Sequence, residues 1–303
     1  MTELSKKILD TYQVRKTRKQ KQAFTDLLQQ YIPNLQVQKM GFPKSHNLVV
    51  GDPKTAKVLL TAHYDTCARL PFPNFITPKR PVISILYSFL IILPWLALIF
   101  LLNVLLAQLI TDYLLHYWIS LACYGFLMWM MLSGPANKNT ANDNTSGIIT
   151  LIEIYYALPE NQRDNVCFVF FDNEEKGVIG SAQFRKQYKK EMQEKLLINF
   201  DCVSDGDYFL LGISKKANQK YRVALAQAFT SSNGKTMMLE NLKKVYYPSD
   251  QAGFPMSIAV AALKHSKLFG YYMDRIHTKR DTVFDPQNIA FLTERTLHFI
   301  ENI

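Results

Sequence analysis

Apolar positions along the chain follow three different rhythms. From Met1 to about Tyr31 they recur at helical spacing among Lys, Gln and Leu, and Pro33 ends the run, which predicts one amphipathic helix. From Pro81 to Asn137 polarity nearly vanishes, with no Lys, Arg or Glu and with Asp112 as the only Asp. Elsewhere, short runs of β-branched and aromatic residues alternate with helical patterns. Strands are predicted at Asn47–Val50, Lys57–Ala62, Val166–Asp172, Leu196–Phe200, Tyr208–Leu211, Ile258–Leu263 and Phe269–Tyr272. Helices are predicted at Ser146–Ala157, Val178–Glu194, Asn218–Thr230 and Gln287–Asn302. Such alternation predicts an α/β fold, a three-layer sandwich in which a mostly parallel mixed sheet is flanked by helices.

The apolar stretch divides at Asp112. Its halves, about Val82–Ala107 and Leu114–Ser133, each reach the roughly 20 residues needed to cross a ~30 Å hydrocarbon layer. They predict a transmembrane helical hairpin, residues 81–133, inserted into a domain formed by 1–80 and 134–303, with residues 82–133 in contact with lipid. Lys79 and Arg80 precede the first span and Lys138 follows the second, while the turn carries no Lys or Arg. The positive-inside rule then gives two spans with the rest of the chain on the cytoplasmic side. Pro94 is expected to kink the first span; Tyr113, Trp118 and Trp129 are candidate interfacial anchors, and His116 is expected near the interface. The competing expectation is a hydrophobic arm that buries itself against a second copy, so an oligomer stays open.

Composition narrows the classes. Outside the insert about 250 residues remain, enough for one large core, and the 13% aromatic content argues against a disordered chain. A net charge of +10 raises nucleic acid as a partner, but Lys and Arg are spread out and no nucleic-acid signature accompanies them. An anionic membrane surface suits the charge better. Cys67, Cys123, Cys167 and Cys202 form no CxxC pair and read as free, packed thiols in a reducing compartment.

The chemistry clusters at strand ends. His63 and Asp65, two apart beyond Lys57–Ala62, have side chains on the same side, so one can bind a metal and the other orient it. Asp143 stands in a polar turn before the Ser146 helix, as an N-cap or as a bridging ligand, and Asn144 or Thr145 can cap in its place. Glu174 and Glu175 follow the buried run Val166–Asp172 and precede a Gly-containing turn, where one carboxylate can hold a metal and its neighbour can act as base. Asp201 ends another apolar strand, and His277 comes late, with Asp281 and Thr282 close behind. Taken together they read as a two-metal hydrolytic site.

The ordered series HYD, NDN-SG, D-EE-G, a strand-terminal Asp and a late HT--DT resembles the co-catalytic zinc aminopeptidases of metallopeptidase clan MH. These include leucyl aminopeptidases, aminopeptidase Y and the glutamate carboxypeptidases. The match covers about residues 45 to 303 without the insert. The resemblance implies a zinc-peptidase fold, two zinc ions and a peptide substrate. It implies that His63 and Asp201 hold one zinc, that Glu175 and His277 hold the other, and that Asp143 bridges them. Glu174 becomes the general base and Asp65 the partner of His63. The stretch YYPSDQAGF is similar to the family's SDH--F segment, which makes Tyr247 a candidate for substrate or oxyanion contact, with Gln251 replacing the usual His. In the family the bridging Asp precedes a cis peptide bond, here Asp143–Asn144. The activity implied is that of an aminopeptidase. The alternatives are a single-zinc glutaminyl cyclase of the same fold group, and a catalytically silent membrane-bound interaction protein on the same scaffold.

Overall fold

The computed structural model describes residues 1–303, and its central feature is a nine-stranded mixed sheet. Its strands are β1 (Gln36–Met40), β2 (Ser45–Val50), β3 (Val58–His63), β4 (Val166–Phe171), β5 (Leu196–Phe200), β6 (Tyr208–Ile213), β7 (Thr236–Asn241), β8 (Ser257–Ser266) and β9 (Gly270–Tyr272). The order is β1-β2-β4-β3-β5-β8-β6-β7, with β9 pairing with β8. Strands β4, β3, β5 and β8 run parallel in the middle, while β1, β2 and β6 meet their inner neighbours antiparallel. Every residue of β3, β4 and β5 is buried, as the continuous apolar runs require for strands covered on both faces.

The helices are α1 (Glu3–Thr11), α2 (Arg18–Tyr31), α3 (Pro81–Leu109), α4 (Tyr113–Leu132), α5 (Gly147–Ala157), α6 (Ile179–Gln187), α7 (Lys215–Ala228) and α8 (Pro286–Glu301). Alternate side chains of the central strands divide between the two faces. Leu60, Ala62, Phe168, Phe170, Ile198 and Phe200 join one core with α1, α2, α5 and α8. Leu59, Cys167, Val169, Phe171 and Leu197 join another with Phe184 of α6. This is the three-layer sandwich.

Some boundaries differ from expectation for local reasons. The amphipathic N-terminal run is two helices, because Thr17 and Gln20 form a capping box that restarts the chain after an extended segment. The helix expected over Val178–Glu194 stops at Gln187 and continues only as a short turn at Glu191–Gln193. Strands β1 and β7, outer members of the sheet, have mostly half-buried or exposed side chains and give no strong apolar signal.

Helices α3 and α4 project from the sandwich as a hairpin. Both are long and apolar enough to cross a membrane by length and composition, and only Leu127 among their side chains is buried. α3 runs through Pro94 as one uninterrupted helix. His116 reaches across to α3, its Nε2 lying 3.0 Å from the Asn103 carbonyl, and Ser120 donates to the Asn103 side chain. At the base, the Ser84 hydroxyl accepts from the Thr77 amide at 2.7 Å, tying the hairpin to the sandwich.

Candidate active site

The carboxyl ends of the central parallel strands converge on one cluster of acids and imidazoles. His63 closes β3, Asp201 follows β5, the Glu174–Glu175 turn follows β4, and Asp143 lies in the turn leading into α5. His277 arrives from the loop after β9.

Asp143 sits between two groups. Its Oδ1 lies 3.3 Å from His63 Nε2, which is also 3.5 Å from Asp201 Oδ1. Its Oδ2 lies 2.9 Å from His277 Nε2, which is 3.5 Å from Glu175 Oε2. The ligand-type atoms of His63, Asp143 and Asp201 fall within 4.8 Å of one another, and so do those of Cys67, Asp143, Glu175 and His277. Glu174 joins His63 and Glu175 within the same limit. Cys67, placed among packed thiols by its sequence context, is buried and lines the second group.

Electrostatics make the cluster a poor resting state without cations. Burial pushes the Glu174 and Glu175 carboxyls up, Glu174 strongly, and neighbouring acids add to the effect. Burial would lower the His63 and His277 imidazoles, but the surrounding carboxylates outweigh it and hold both above their ordinary value. Asp143 is pulled well below the carboxylate range by the two histidines despite its burial. Glu175 Oε1 is buried without a hydrogen-bond partner, and Asp143 Oδ2 faces only His277 Nε2. Several buried carboxylates, two imidazoles and an orphaned oxygen form a donor set that divalent cations satisfy.

A fixed frame holds these groups. Asp65 accepts from the Glu174 amide at 2.9 Å and the Glu175 amide at 3.3 Å, so its carboxylate is turned to the glutamate turn. The nearest partner of His63 Nδ1 is the Asp65 carbonyl at 3.2 Å, with the carboxylate at 3.6 Å. Asp281 accepts from the Asn142 and Asp143 amides, each at 3.0 Å, and burial lifts its carboxyl to about 8. The Asp143–Asn144 peptide is cis, and the Asn144 side chain accepts from the Gly147 amide at 3.0 Å at the start of α5. Four of the five non-glycine residues with left-handed φ, Asn173, Val178, Cys202 and His277, flank the cluster. For β-branched Val178 that conformation is a clear outlier, and such strain concentrates at working sites.

Sequence reasoning missed two contributors. Arg15, which falls within the single amphipathic helix expected over Met1 to about Tyr31, is fully buried in the segment between α1 and α2 and donates to the Tyr64 carbonyl at 2.6 Å and to Thr145 Oγ1 at 3.2 Å. The Thr17–Gln20 capping pattern was the signal that could have exposed the helix break. Tyr246 is the second: it is 59% exposed and lines the cavity above the cluster. Tyr247 also borders that cavity, but it is buried and its hydroxyl donates to the Asp201 carbonyl at 3.1 Å. Gln251, in the place of the family's His, is engaged with the Tyr247 carbonyl at 2.6 Å and the Asn199 amide at 3.2 Å.

The cavity has a volume of about 720 Å³ and reaches from the cluster to the hairpin. Its floor is the acid and imidazole set; its walls are mostly apolar.

The sheet order, the helices on both faces and the placement of the cluster at the strand ends define the zinc-exopeptidase fold. The sequence profile of peptidase family M28 matches residues 128–299, more than half of the chain. The chain belongs to peptidase family M28. It is 25% identical over 164 residues to probable leucine aminopeptidases of Arthroderma benhamiae and Trichophyton verrucosum, a match covering 50% of this chain and 44% of each relative. The match therefore spans less than half the length of those relatives. Among solved structures, the chain resembles Porphyromonas gingivalis glutaminyl cyclase with a TM-score of 0.59 at 14% identity, covering 99% of this chain and 96% of the cyclase. A Zn-dependent exopeptidase from Parabacteroides distasonis gives a TM-score of 0.57 at 14% identity with the same coverage of 99% and 96%. The Legionella pneumophila LapA aminopeptidase gives 0.57 at 12% identity, covering 99% of this chain and 67% of its own. These structural likenesses establish the fold alone.

Proposed function

We propose that the protein is a membrane-anchored metallo-aminopeptidase whose cluster binds two zinc ions. The observation that carries this reading is Asp143, whose two carboxylate oxygens face His63 and His277 in separate ligand groups. His63, Asp143 and Asp201 would hold one ion; Asp143, Glu175 and His277 would hold the other. When bound, zinc supplies Lewis-acid activation of water and of the scissile carbonyl. Glu174, close to both groups but outside the two ligand sets, takes the proton of the attacking water and hands it to the leaving amine. Asp65 positions this base by gripping the backbone of the glutamate turn.

The exposed apolar faces of α3 and α4 support insertion of the hairpin as two spans, and the flanking Lys79, Arg80 and Lys138 favour a cytoplasmic catalytic domain. A test of the activity is a screen of purified zinc-loaded protein against free and N-terminally blocked aminoacyl amides, with metal analysis alongside. Hydrolysis confined to free amino termini with two zinc ions per chain is the expected result. The cyclase from Porphyromonas gingivalis, matched over nearly its whole length, keeps a second reading in play. Cyclisation of N-terminal Gln without hydrolysis of any amide would favour it and end the aminopeptidase proposal.

A further inference from the structure

The second ligand group contains a donor that the two-metal reading leaves unused. Cys67 Sγ and one ligand-type atom each of Asp143, Glu175 and His277 all lie within 4.8 Å of one another. The group of His63, Asp143 and Asp201 has no such fourth member. A buried cysteine ordinarily serves as a small apolar packing residue, and two others in this chain do so. Cys167 shares a core with Leu59 and Phe171, and Cys202 shares one with Leu210 and Ala261. Cys67 is 1% exposed and joins no apolar core. Its company is two carboxylates and an imidazole. One of them, Glu175, has a side chain only 9% exposed, and its Oε1 is buried without a hydrogen-bond partner.

The backbone fixes the thiol in this place. The Cys67 carbonyl accepts from the Asn137 amide at 3.1 Å, Ala68 pairs with Ala136, and the Leu70 amide donates to the His277 carbonyl at 2.9 Å. The Asn137 side chain in turn donates to the Thr278 carbonyl at 3.0 Å. Cys67 and His277, distant in sequence, are therefore held in one frame. The donor types then set the two metal sites apart. Four protein ligands are the closed count of a zinc site that only holds its ion, whereas three leave the open position that catalysis uses. A thiolate is also a soft donor that suits zinc, while carboxylate and water suit manganese or magnesium. We infer that Cys67 is a fourth protein ligand of the second ion, closing that site with a thiolate, while the site of His63, Asp143 and Asp201 stays open for the reaction. This rests on the two-zinc reading of the cluster and adds a division of labour to it. Glu174 fits that division, since it groups with His63 and Glu175 and not with Cys67. The base thus adjoins the open site. Cation binding displaces the thiol proton, and the sulfur stays in place as the ligand.

The test is spectroscopic and needs no turnover. Full-length protein in detergent is stripped of metal and reloaded with cobalt(II) under reducing conditions. A thiolate bonded to cobalt gives a charge-transfer band in the near ultraviolet that nitrogen and oxygen ligands do not. Wild-type protein with two cobalt ions should show the band, and Cys67→Ser and Cys67→Ala should lose it. Cys202→Ser, which alters the other thiol bordering the cavity, should keep it. In competition with a chelator, Cys67→Ser should weaken retention of one of the two zinc ions at least ~10-fold, the lower end of what even an outer partner of a ligand contributes, and leave the other in place. Two bound cobalt ions without the band in wild-type protein, a result that needs no variant to fold, overturns the inference and leaves the two-metal reading standing. A band that survives both Cys67 substitutions does the same. The band without hydrolysis of any aminoacyl amide upholds the ligand and removes the peptidase reading instead, whereas wild-type protein that binds no cobalt removes both.

Discussion

Replacing Asp65 with Asn probes the frame rather than the chemistry. The wild-type carboxylate accepts from two backbone amides, at 2.9 Å from Glu174 and 3.3 Å from Glu175, and it is almost completely buried. Charge-assisted bonds of this kind contribute about 1.5–3 kcal/mol each. Asn keeps one acceptor oxygen but turns an NH2 group toward the other amide, so one bond is lost and one buried donor is orphaned. The expected loss is roughly 2–4 kcal/mol of folding stability, or on the order of 5–15 °C in Tm for a chain of this size. The pH dependence has a definite sign. Burial raises the Asp65 carboxyl, but His63, Lys21 and the Glu174 amide together leave it below its ordinary value. A carboxyl depressed in the folded state stabilises it above the unfolded pKa of about 3.9 and loses that contribution as pH falls through the folded pKa. The gap between wild type and Asp65→Asn in urea unfolding should therefore be level between about pH 5 and 7 and shrink below about pH 4. Loosening the turn by ~1 Å should also cost about 100-fold in turnover. A stability gap under about 0.5 kcal/mol at pH 7, or one that stays constant into the acid range, would refute the role given to these two bonds.

Other substitutions separate the remaining roles. Glu174→Gln should keep its zinc and lose at least ~100-fold in turnover, the usual scale for a catalytic base, and near-wild-type turnover in metal-replete protein would remove that assignment. Glu175→Ala and His277→Ala should each lower bound zinc measured by atomic absorption, and unchanged stoichiometry would count against the second ligand group. Replacing residues 86–130 by a short Gly-Ser linker should convert a protein extracted only with detergent into one that stays in buffer after ultracentrifugation. A wild-type chain that already fractionates without detergent would contradict membrane insertion of the hairpin.

The central sheet was legible because β3, β4 and β5 are buried on both faces, so their sequences are continuous apolar runs with chemistry at their carboxyl ends. The residues facing the cluster were legible for the same reason, each sitting at a strand end or in a short polar turn. What escaped has a physical cause as well. Arg15 is a cation in a Lys- and Arg-rich segment, and nothing in local periodicity distinguishes a buried guanidinium from a solvated one; only contacts to Tyr64 and Thr145, distant in sequence, do so. Asp65 was visible as a companion of His63, but its grip on the glutamate turn joins residues over a hundred positions apart. The adjacent tyrosines could not be told apart, because which of Tyr246 and Tyr247 is buried depends on the path of the chain toward Asp201.

The extended segment that carries Arg15 has a consequence for biosynthesis. Gln13 bonds Thr140 through both its carbonyl and its side chain, and Arg15 reaches Thr145 as well as Tyr64 and Thr66, so the segment between the first two helices completes its docking only once chain beyond the hairpin has been made. Strand β3 likewise waits for β4 and β5, both encoded beyond it. At ribosomal speeds of about 5–20 residues per second, the hairpin is complete seconds before His277 exists. Translation order thus separates the two events: the apolar arm is presented to its surroundings while the acid and imidazole cluster is still in pieces, and the cluster cannot close until His277 has been made.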